Sequence, residues 1–384
     1  MDRIYLDHAG TTPVTEHVLE SMLPYFRQCF GNASSIHGTG RDARKAVEGA
    51  RRQVQAALGA DSAGEIYFTS GGTESDNWAI KGSAFALKDR GRHIITSRVE
   101  HHAVLNTCAW LEKQGFEVTY LPVDEEGRVD PEDVRAAIRP DTILISVMMA
   151  NNEIGTLEPT QEIAGIAKSR GICMHTDAVQ AVGAIPVNVN DLQVDMLSLS
   201  AHKFGGPKGM GALYVRQGTR LDRLMHGGEQ ERHMRAGTEN LPGIVGLGTA
   251  ISDAVSKMPE HARRMRSLRD RLWQGMVRLI PGLILNGPEK DRLPGNLNVS
   301  IQDVQGESVL LRLDLEGIAA SSGSACTAGS LDPSHVLLAI GRDTETAHAS
   351  LRFSLGAENT EEEIDEVLRV LPGIVTDLKK LRFG

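Results

Sequence analysis

The stretch Ser198-Leu199-Ser200-Ala201-His202-Lys203-Phe204-Gly205-Gly206-Pro207-Lys208-Gly209 decides the reading of this chain, because a lone lysine closes an apolar run and opens a glycine-rich turn. Residues Val194 to Leu199 are nearly all apolar, the pattern of a strand buried on both faces. Ser200 to Lys203 then fall at the C-terminal end of that strand, and in open α/β sheets this is the edge where ligands bind. A lysine placed there serves as a reactive amine when burial lowers its ammonium pKa. Gly205, Gly206, Gly209 and Gly211 let the backbone pass close to a bulky ligand. Taken alone, a lysine in a Gly/Pro stretch is a solvated turn residue, so other segments must decide.

Upstream, Glu65 to Thr69 reads as a strand, followed by Ser70-Gly71-Gly72-Thr73 and a helix beginning near Glu74. Strand, glycine turn, hydroxyl and helix start together make an anion site, since free amides and the helix dipole point at one spot. Its spacing is neither of the two standard nucleotide-binding glycine patterns, and a plain capped helix is the competing reading. Polar residues recur behind each later strand: Glu100, His101 and His102 after 93–96, Asn151, Asn152 and Glu153 after 142–149, and Asp177 and Gln180 after 171–176. Such alternation predicts a largely parallel sheet with helices on both sides and these side chains along one edge. A single strand-end Asn or Asp is usually a turn former; convergence of several with a lysine and an anion cup points to a site. A metal reading through His101, His102, His175, Asp177 and His202 lacks ligand spacing, and adjacent histidines on extended backbone point apart.

The composition bounds the class of protein. At 384 residues and 41% hydrophobic content the chain can bury a full core and is expected to form two domains. A net charge of -9 argues against direct nucleic-acid binding and against an anionic membrane surface. The start, Met1-Asp2-Arg3-Ile4-Tyr5-Leu6-Asp7, carries charge where a signal peptide has its apolar core, and no run is long enough to span a bilayer, so a cytoplasmic location is expected. Cys29, Cys108, Cys173 and Cys326 are far apart, which indicates neither a disulfide framework nor a zinc site. The first three are expected in core, Cys29 and Cys108 on helices and Cys173 on a strand.

Residues Gly227 to Asn240 form a long polar loop, and helices are expected over 241–257 and 261–279. The Pro/Gly/Asn segment 286–296 marks the passage to a smaller α+β unit. Ser321-Ser-Gly-Ser-Ala-Cys326-Thr-Ala-Gly-Ser330 then offers one thiol among small residues with nothing to pack it, so its use is reach. Residues 349–355 alternate as a strand that turns Arg352 away from Leu351 and Phe353, and arginine suits a bidentate grip on a carboxylate.

Together, the Lys203 stretch, Glu100-His101-His102, Asn151-Asn152-Glu153-Ile-Gly155, Asp177-Ala-Val-Gln180, Arg235-Ala-Gly-Thr238 and Ser-Gly-Ser-Ala-Cys326-Thr resemble the cysteine desulfurases of the nitrogen-fixation and iron–sulfur-cluster type, over nearly the whole chain. The resemblance implies an α/β chain of pyridoxal 5′-phosphate fold type I, with a mostly parallel seven-stranded sheet in a large domain and a smaller α+β domain. The large domain would span 14–256; residues 1–13 and 257–384 would form the small one, with the cysteine loop at about 321–332. It further implies that Lys203 carries the cofactor covalently and acts as a proton-transfer base, and that His101 stacks on its ring. Asp177 would pair with the ring nitrogen and Gln180 would bond the phenolic oxygen. Gly72, Thr73, Ser200 and His202 would hold the phosphate, with Thr238 supplied by a second subunit of a homodimer. Asn152, also against the cofactor, and Arg352 would fix the carboxylate of L-cysteine.

Cys326 would take the sulfur as a persulfide, leaving L-alanine, and pass it to an acceptor protein such as an iron–sulfur scaffold or a tRNA-thiolation enzyme. No resident metal is implied; Cys326 would meet a cluster only during transfer. Another class V aminotransferase or a selenocysteine lyase is the nearest alternative, and neither needs the loop thiol. The sequence departs from the family pattern at His8, Gly10, Met149, Ala150 and Ala328, and it lacks the longer tail that some members use to dock a scaffold.

Overall fold

The computed structural model describes residues 3–322 and 332–383; Cys326 lies outside them. The described residues form twelve strands: β1 Ile4–Tyr5, β2 Ile66–Thr69, β3 His93–Ser97, β4 Glu117–Leu121, β5 Thr142–Ser146, β6 Cys173–Asp177, β7 Met196–Ser200, β8 Gly211–Val215, β9 Leu283–Asn286, β10 Asn296–Ile301, β11 Ile318–Ala319 and β12 Ser350–Ser354. Seven of them build one sheet in the order β2-β8-β7-β6-β5-β3-β4. Pairing is parallel from β7 through β4, while β8 runs antiparallel to both its neighbours. Every residue of β3, β5, β7 and β8 is buried, as strands covered by helices on both faces require.

The expected strand–helix alternation fails at one place. After β7 the chain does not cross over through a helix; it turns back at once through Ala201–Lys203 and the glycine segment to form β8 as a hairpin partner. Gly211 permits this return, since a Cβ there would stand 2.6 Å from both the Gly71 Cα and the Leu199 carbonyl oxygen. Lys203 is therefore held on a hairpin at the sheet edge, where the C-terminal ends of β2, β3, β5, β6 and β7 also arrive.

A second apolar core gathers around β10, which pairs antiparallel with β9 and β12. Leu268, Leu272 and Met276 reach this core from the helix Leu241–Leu279, whose earlier residues Leu241, Ile244, Leu247 and Ile251 pack on the large sheet. Two helices were expected here, and one continuous helix of 39 residues is formed. Pro259 removes one helix hydrogen bond, but it is exposed, so the bond is lost on the solvent side. The N-terminal β1 belongs to the same end of the molecule, pairing with β11. Cys108 is buried in the helix His102–Glu112; Cys173, which opens β6 and packs against the core, and Cys29, just past the short helix Pro24–Arg27, are both only half-buried, so of the three expected in core Cys108 alone is fully so.

The polar loop before the long helix is anchored from inside. Arg51 and Glu231 form a bidentate pair at 2.7 and 2.8 Å, with both side chains almost fully buried, and Glu231 also accepts from the Phe68 amide at 2.9 Å. The backbone of Glu231, Arg232 and His233 sits at φ of 47, 56 and 67°, a left-handed run that these side chains adopt at a cost. Tertiary contacts must hold it. Glu231→Ala would leave the buried Arg51 guanidinium with only the more exposed Glu48 carboxylate, at 3.1 Å, and we expect urea unfolding to register a loss of about 3 kcal/mol; a loss below about 1 kcal/mol would show that the pair does not hold the loop.

Candidate active site

The anion cup predicted at Ser70–Thr73 begins the helix Gly72–Leu87, slightly earlier than the sequence suggested. Gly71 has φ 151°, open to glycine, and a Cβ on Gly72 would stand 2.6 Å from a methyl of Val179. Gly71 offers no side chain to cap the helix, so main-chain amides face outward there. Ser200 is buried at the end of β7, its hydroxyl 3.7 Å from the point where a Gly71 Cβ would sit. Glu74 is committed elsewhere: it accepts from the Ser70 amide at 2.8 Å and pairs with Arg235 at 2.9 Å, which holds its carboxyl below the usual range despite burial. That pair also ties down the loop bearing Thr238, which is itself exposed.

Lys203 ends the tight turn Ala201–Lys203, and its Nζ donates to the carbonyls of Ala9 and Gly10 at 2.5 and 2.7 Å. The N-terminal segment is stapled beside it. Thr12 donates its amide and its hydroxyl to the His202 carbonyl, each at 2.9 Å, and its hydroxyl accepts from the Gly205 amide at 2.8 Å. His202 meets the Thr11 hydroxyl through Nδ1 at 3.1 Å; burial, then Lys203 and Lys208, lower its pKa to about 4. The Gln180 amide donates to the Ala9 carbonyl at 3.1 Å, so Gln180 and Lys203 converge on one oxygen.

Beneath this edge lie three buried carboxyl groups, Asp76, Glu100 and Asp177. Asp177 ends β6 and accepts from the Val179 amide at 2.8 Å; burial raises its pKa to about 6, with that amide and Lys203 opposing. Asp76 is pushed well above the carboxylate range by burial and by Asp177, against a hydrogen bond from Ser198. Glu100 accepts from Ser97 at 2.7 Å and from the Met148 amide at 2.9 Å, and burial still raises it to about 8. His175, clamped between the hydroxyls of Ser146 at 2.8 Å and Ser198 at 2.9 Å, is held neutral by burial, with a pKa of about 3. Burial thus opposes charge at all three carboxyls, and Asp177 alone has the Lys203 cation among the groups that favour its ionised form.

His101 caps the helix His102–Glu112 by accepting the Ala103 amide at Nδ1, 3.1 Å, which leaves its proton on Nε2. Burial, then Lys203 and His102, lower its pKa to about 4, so the ring is neutral. The rings of His101 and His102 are 6.4 Å apart and steeply inclined, while His102 lies 4.7 Å from His335. Among the described residues no cluster of His, Cys, Asp and Glu is arranged to hold a metal ion.

Arg352 is buried on β12, with Nη2 on Asp7 at 2.9 Å and Nη1 donating to the Asn152 carbonyl at 3.1 Å. Of the paired asparagines, Asn151 builds the loop: its amide donates to the Val99 carbonyl and its oxygen accepts from Glu153 and Ile154. Glu153, buried and raised to about 7, accepts from Ser334 at 2.5 Å, and Ser321 exchanges backbone hydrogen bonds with Arg352. The segments on both sides of Cys326 are thus fastened next to Asn152 and Arg352.

Lys203, His101, Asp177 and Gln180 are brought together; Thr238 stands on the exterior. Sequence reasoning overlooked Asp76, Glu100 and His175 as a buried polar set, and Asp7 as a partner of Arg352. Asp76 carried a signal, lying one helical turn beyond Gly72 and so on the same helix face.

The geometry agrees with comparison to known proteins. A family model described as aminotransferase class-V matches residues 4–367. A protein named cysteine desulfurase IscS from Methanosarcina thermophila is 57% identical, over 98% of this chain and 93% of its own length. Among solved structures, one titled NIFS-like protein superposes with a TM-score of 0.93 at 41% identity, covering 98% of this chain and 100% of that one. Another, titled SspA in complex with cysteine, gives a TM-score of 0.82 at 40% identity, over 93% and 100% of the two chains. The chain belongs to the class V aminotransferase family, among its cysteine desulfurases.

Proposed function

We propose that this protein takes sulfur from L-cysteine, with pyridoxal 5′-phosphate held at Lys203, leaving L-alanine and a persulfide on Cys326. The convergence of the Lys203 amine, the Asp177 carboxylate and the neutral His101 ring on one sheet edge carries this reading. The residues present fit the cofactor. Glycines 71 and 72 leave a cradle that side chains would fill, the amides of the helix start suit a phosphate, and a buried carboxylate suits a protonated ring nitrogen.

When bound, the cofactor supplies an electron sink for the bond loosened at the substrate Cα. The chain's own groups would do the rest. Asp177 would keep the ring nitrogen protonated, and Gln180 would hold the phenolic oxygen. Gly72, Thr73, Ser200 and His202 would grip the phosphate. Lys203 would move the Cα proton, and His101, neutral with its proton on Nε2, would assist that movement. Asn152 and Arg352 would orient the substrate carboxylate. The step at Cys326 balances without an oxidant: cysteine and a thiol give alanine and a persulfide, a C–S bond breaking as an S–S bond forms.

The same reading makes the protein a homodimer, with exposed Thr238 completing the phosphate site of a second subunit, and a donor to an acceptor such as an iron–sulfur scaffold or a tRNA-thiolation enzyme. It divides the chain into 14–256 and a second domain of 1–13 with 257–384, in keeping with the separate apolar core around β10. No described helix is long and apolar enough to cross a membrane, and we place the work in the cytoplasm.

Two outcomes test this. Cys326→Ser is expected to retain the visible absorption of bound cofactor while release of sulfide and alanine from cysteine falls by more than about a hundredfold, whereas Lys203→Ala loses covalent retention of the cofactor on borohydride reduction. Unchanged turnover in Cys326→Ser would remove the thiol from the reaction. The second outcome concerns pH. Asp177 must be ionised to meet the ring nitrogen, so affinity of the cofactor-free protein for pyridoxal 5′-phosphate should drop as pH falls through about 6. Fluorescence titration should find that drop missing in Asp177→Asn, with affinity at neutral pH about tenfold lower or worse; an unaltered pH profile would exclude Asp177 from the role.

A further inference from the structure

Arg352 has its charge answered within the chain. Its side chain is 2% exposed, and Asp7 takes Nη2 at 2.9 Å while the Asn152 carbonyl takes Nη1 at 3.1 Å. Nε is buried without a hydrogen-bond partner among the described residues. Glu153, the other carboxyl whose field reaches this pair, is occupied by Ser334. An arginine buried this deeply is costly without an anion, and Asp7 provides it.

The seat of Asp7 is built. Its neighbours on either side are bonded to β12, Ser354 donating to the Leu6 carbonyl at 2.8 Å and His8 donating to the Ser354 carbonyl at 3.1 Å. Its own carbonyl accepts from the Gly10 amide at 2.9 Å and from the Tyr5 hydroxyl at 3.0 Å, closing a turn. Gly10 makes room for the carboxylate, since a Cβ there would stand 2.5 Å from Asp7 Oδ2. The side chain of Asp7 keeps 27% of its surface exposed, so it faces both the arginine and the open side.

We propose that Asp7 is a built-in rival of the substrate carboxylate for Arg352, and so sets how tightly the site takes α-amino acid anions. This rests on the reading of Arg352 as the carboxylate holder. A ligand arriving at Arg352 meets a guanidinium already neutralised, and must displace Asp7 from Nη2 or share the cation with it. The affinity of every carboxylate is lowered by that competition. Ligands that make additional contacts at the cofactor and at the thiol end tolerate it, and simpler carboxylates do not.

The test uses the loaded enzyme and two fragments of the substrate: 3-mercaptopropionate, which has the carboxylate and thiol but no amine, and cysteamine, which has the amine and thiol but no carboxylate. Asp7→Asn keeps the shape of the side chain and removes its charge. Calorimetric titration should show 3-mercaptopropionate binding about fivefold tighter to Asp7→Asn, cysteamine affinity unchanged, and a lower KM for L-cysteine with kcat nearly constant. Asp7→Ser, which keeps a small hydrogen-bonding group, should move affinity the same way and serves if the asparagine variant misfolds. Weaker or unaltered 3-mercaptopropionate binding in these variants would overturn the proposal. Arg352→Gln separates the two readings: if it abolishes 3-mercaptopropionate binding while Asp7→Asn fails to strengthen it, only the rivalry is wrong, and if it has no effect, Arg352 is not the carboxylate holder and both fall.

Discussion

Charge is expensive beneath a sheet covered on both faces, and this protein places Asp76, Glu100 and Asp177 in one such region. Three ionised carboxylates there would repel one another with little water to screen them. The arrangement resolves this by unequal support. Burial is the largest influence at all three, and Asp177 alone has a cation, Lys203, beside an amide in its favour. Asp177, the carboxyl with a cation to favour its ionised form, sits at the end of β6. Burial keeps His175 neutral alongside, between the hydroxyls of Ser146 and Ser198. The cost is borne by the fold: a carboxyl whose pKa is higher in the folded chain than in the unfolded one loses stability as pH rises from about 4 to about 6. A ligand bringing positive charge to Asp177 recovers that loss.

Topology decides what faces that charge. The hairpin from β7 to β8 brings the chain back antiparallel, which leaves Lys203 in a turn instead of on a crossover helix. The N-terminal segment then closes over it, giving carbonyls to Lys203 and Gln180 and the Asp7 carboxylate to Arg352. One short stretch thus touches groups from the large sheet and from β12. It is short in sequence, yet it ties the edge of the large sheet to β12 across the site.

Much of this was legible in the sequence because strand-end positions are. A buried parallel strand reads as an apolar run, and the polar residues directly after it fall on one edge; that logic alone gathered His101, Asn152, Asp177 and Lys203. The glycine turn at Ser70–Thr73 was legible for the same reason. The hairpin at Gly211 was not, because its requirement is the closeness of two backbones that are distant in sequence. The long helix through Pro259 was read as two, since local propensity favours a break and only the exposed placement of the proline reverses it. Asp7 and Glu231 escaped notice for a related reason: each looks like an ordinary loop acid until its partner, Arg352 or Arg51, folds against it from far along the chain. Long-range ion pairs leave no periodic trace.

An amine, a buried carboxylate and an anion cup meet at one sheet edge, as the proposed hold on a flat, charged ring requires. Crystallography of the protein grown with pyridoxal 5′-phosphate tests it most directly. We predict continuous density joining Lys203 Nζ to the cofactor, the ring nitrogen facing Asp177, and the phosphate at Gly72 and Thr73. Density showing Lys203 Nζ still on the carbonyls of Ala9 and Gly10, or a ring turned with its nitrogen away from Asp177, would contradict the account.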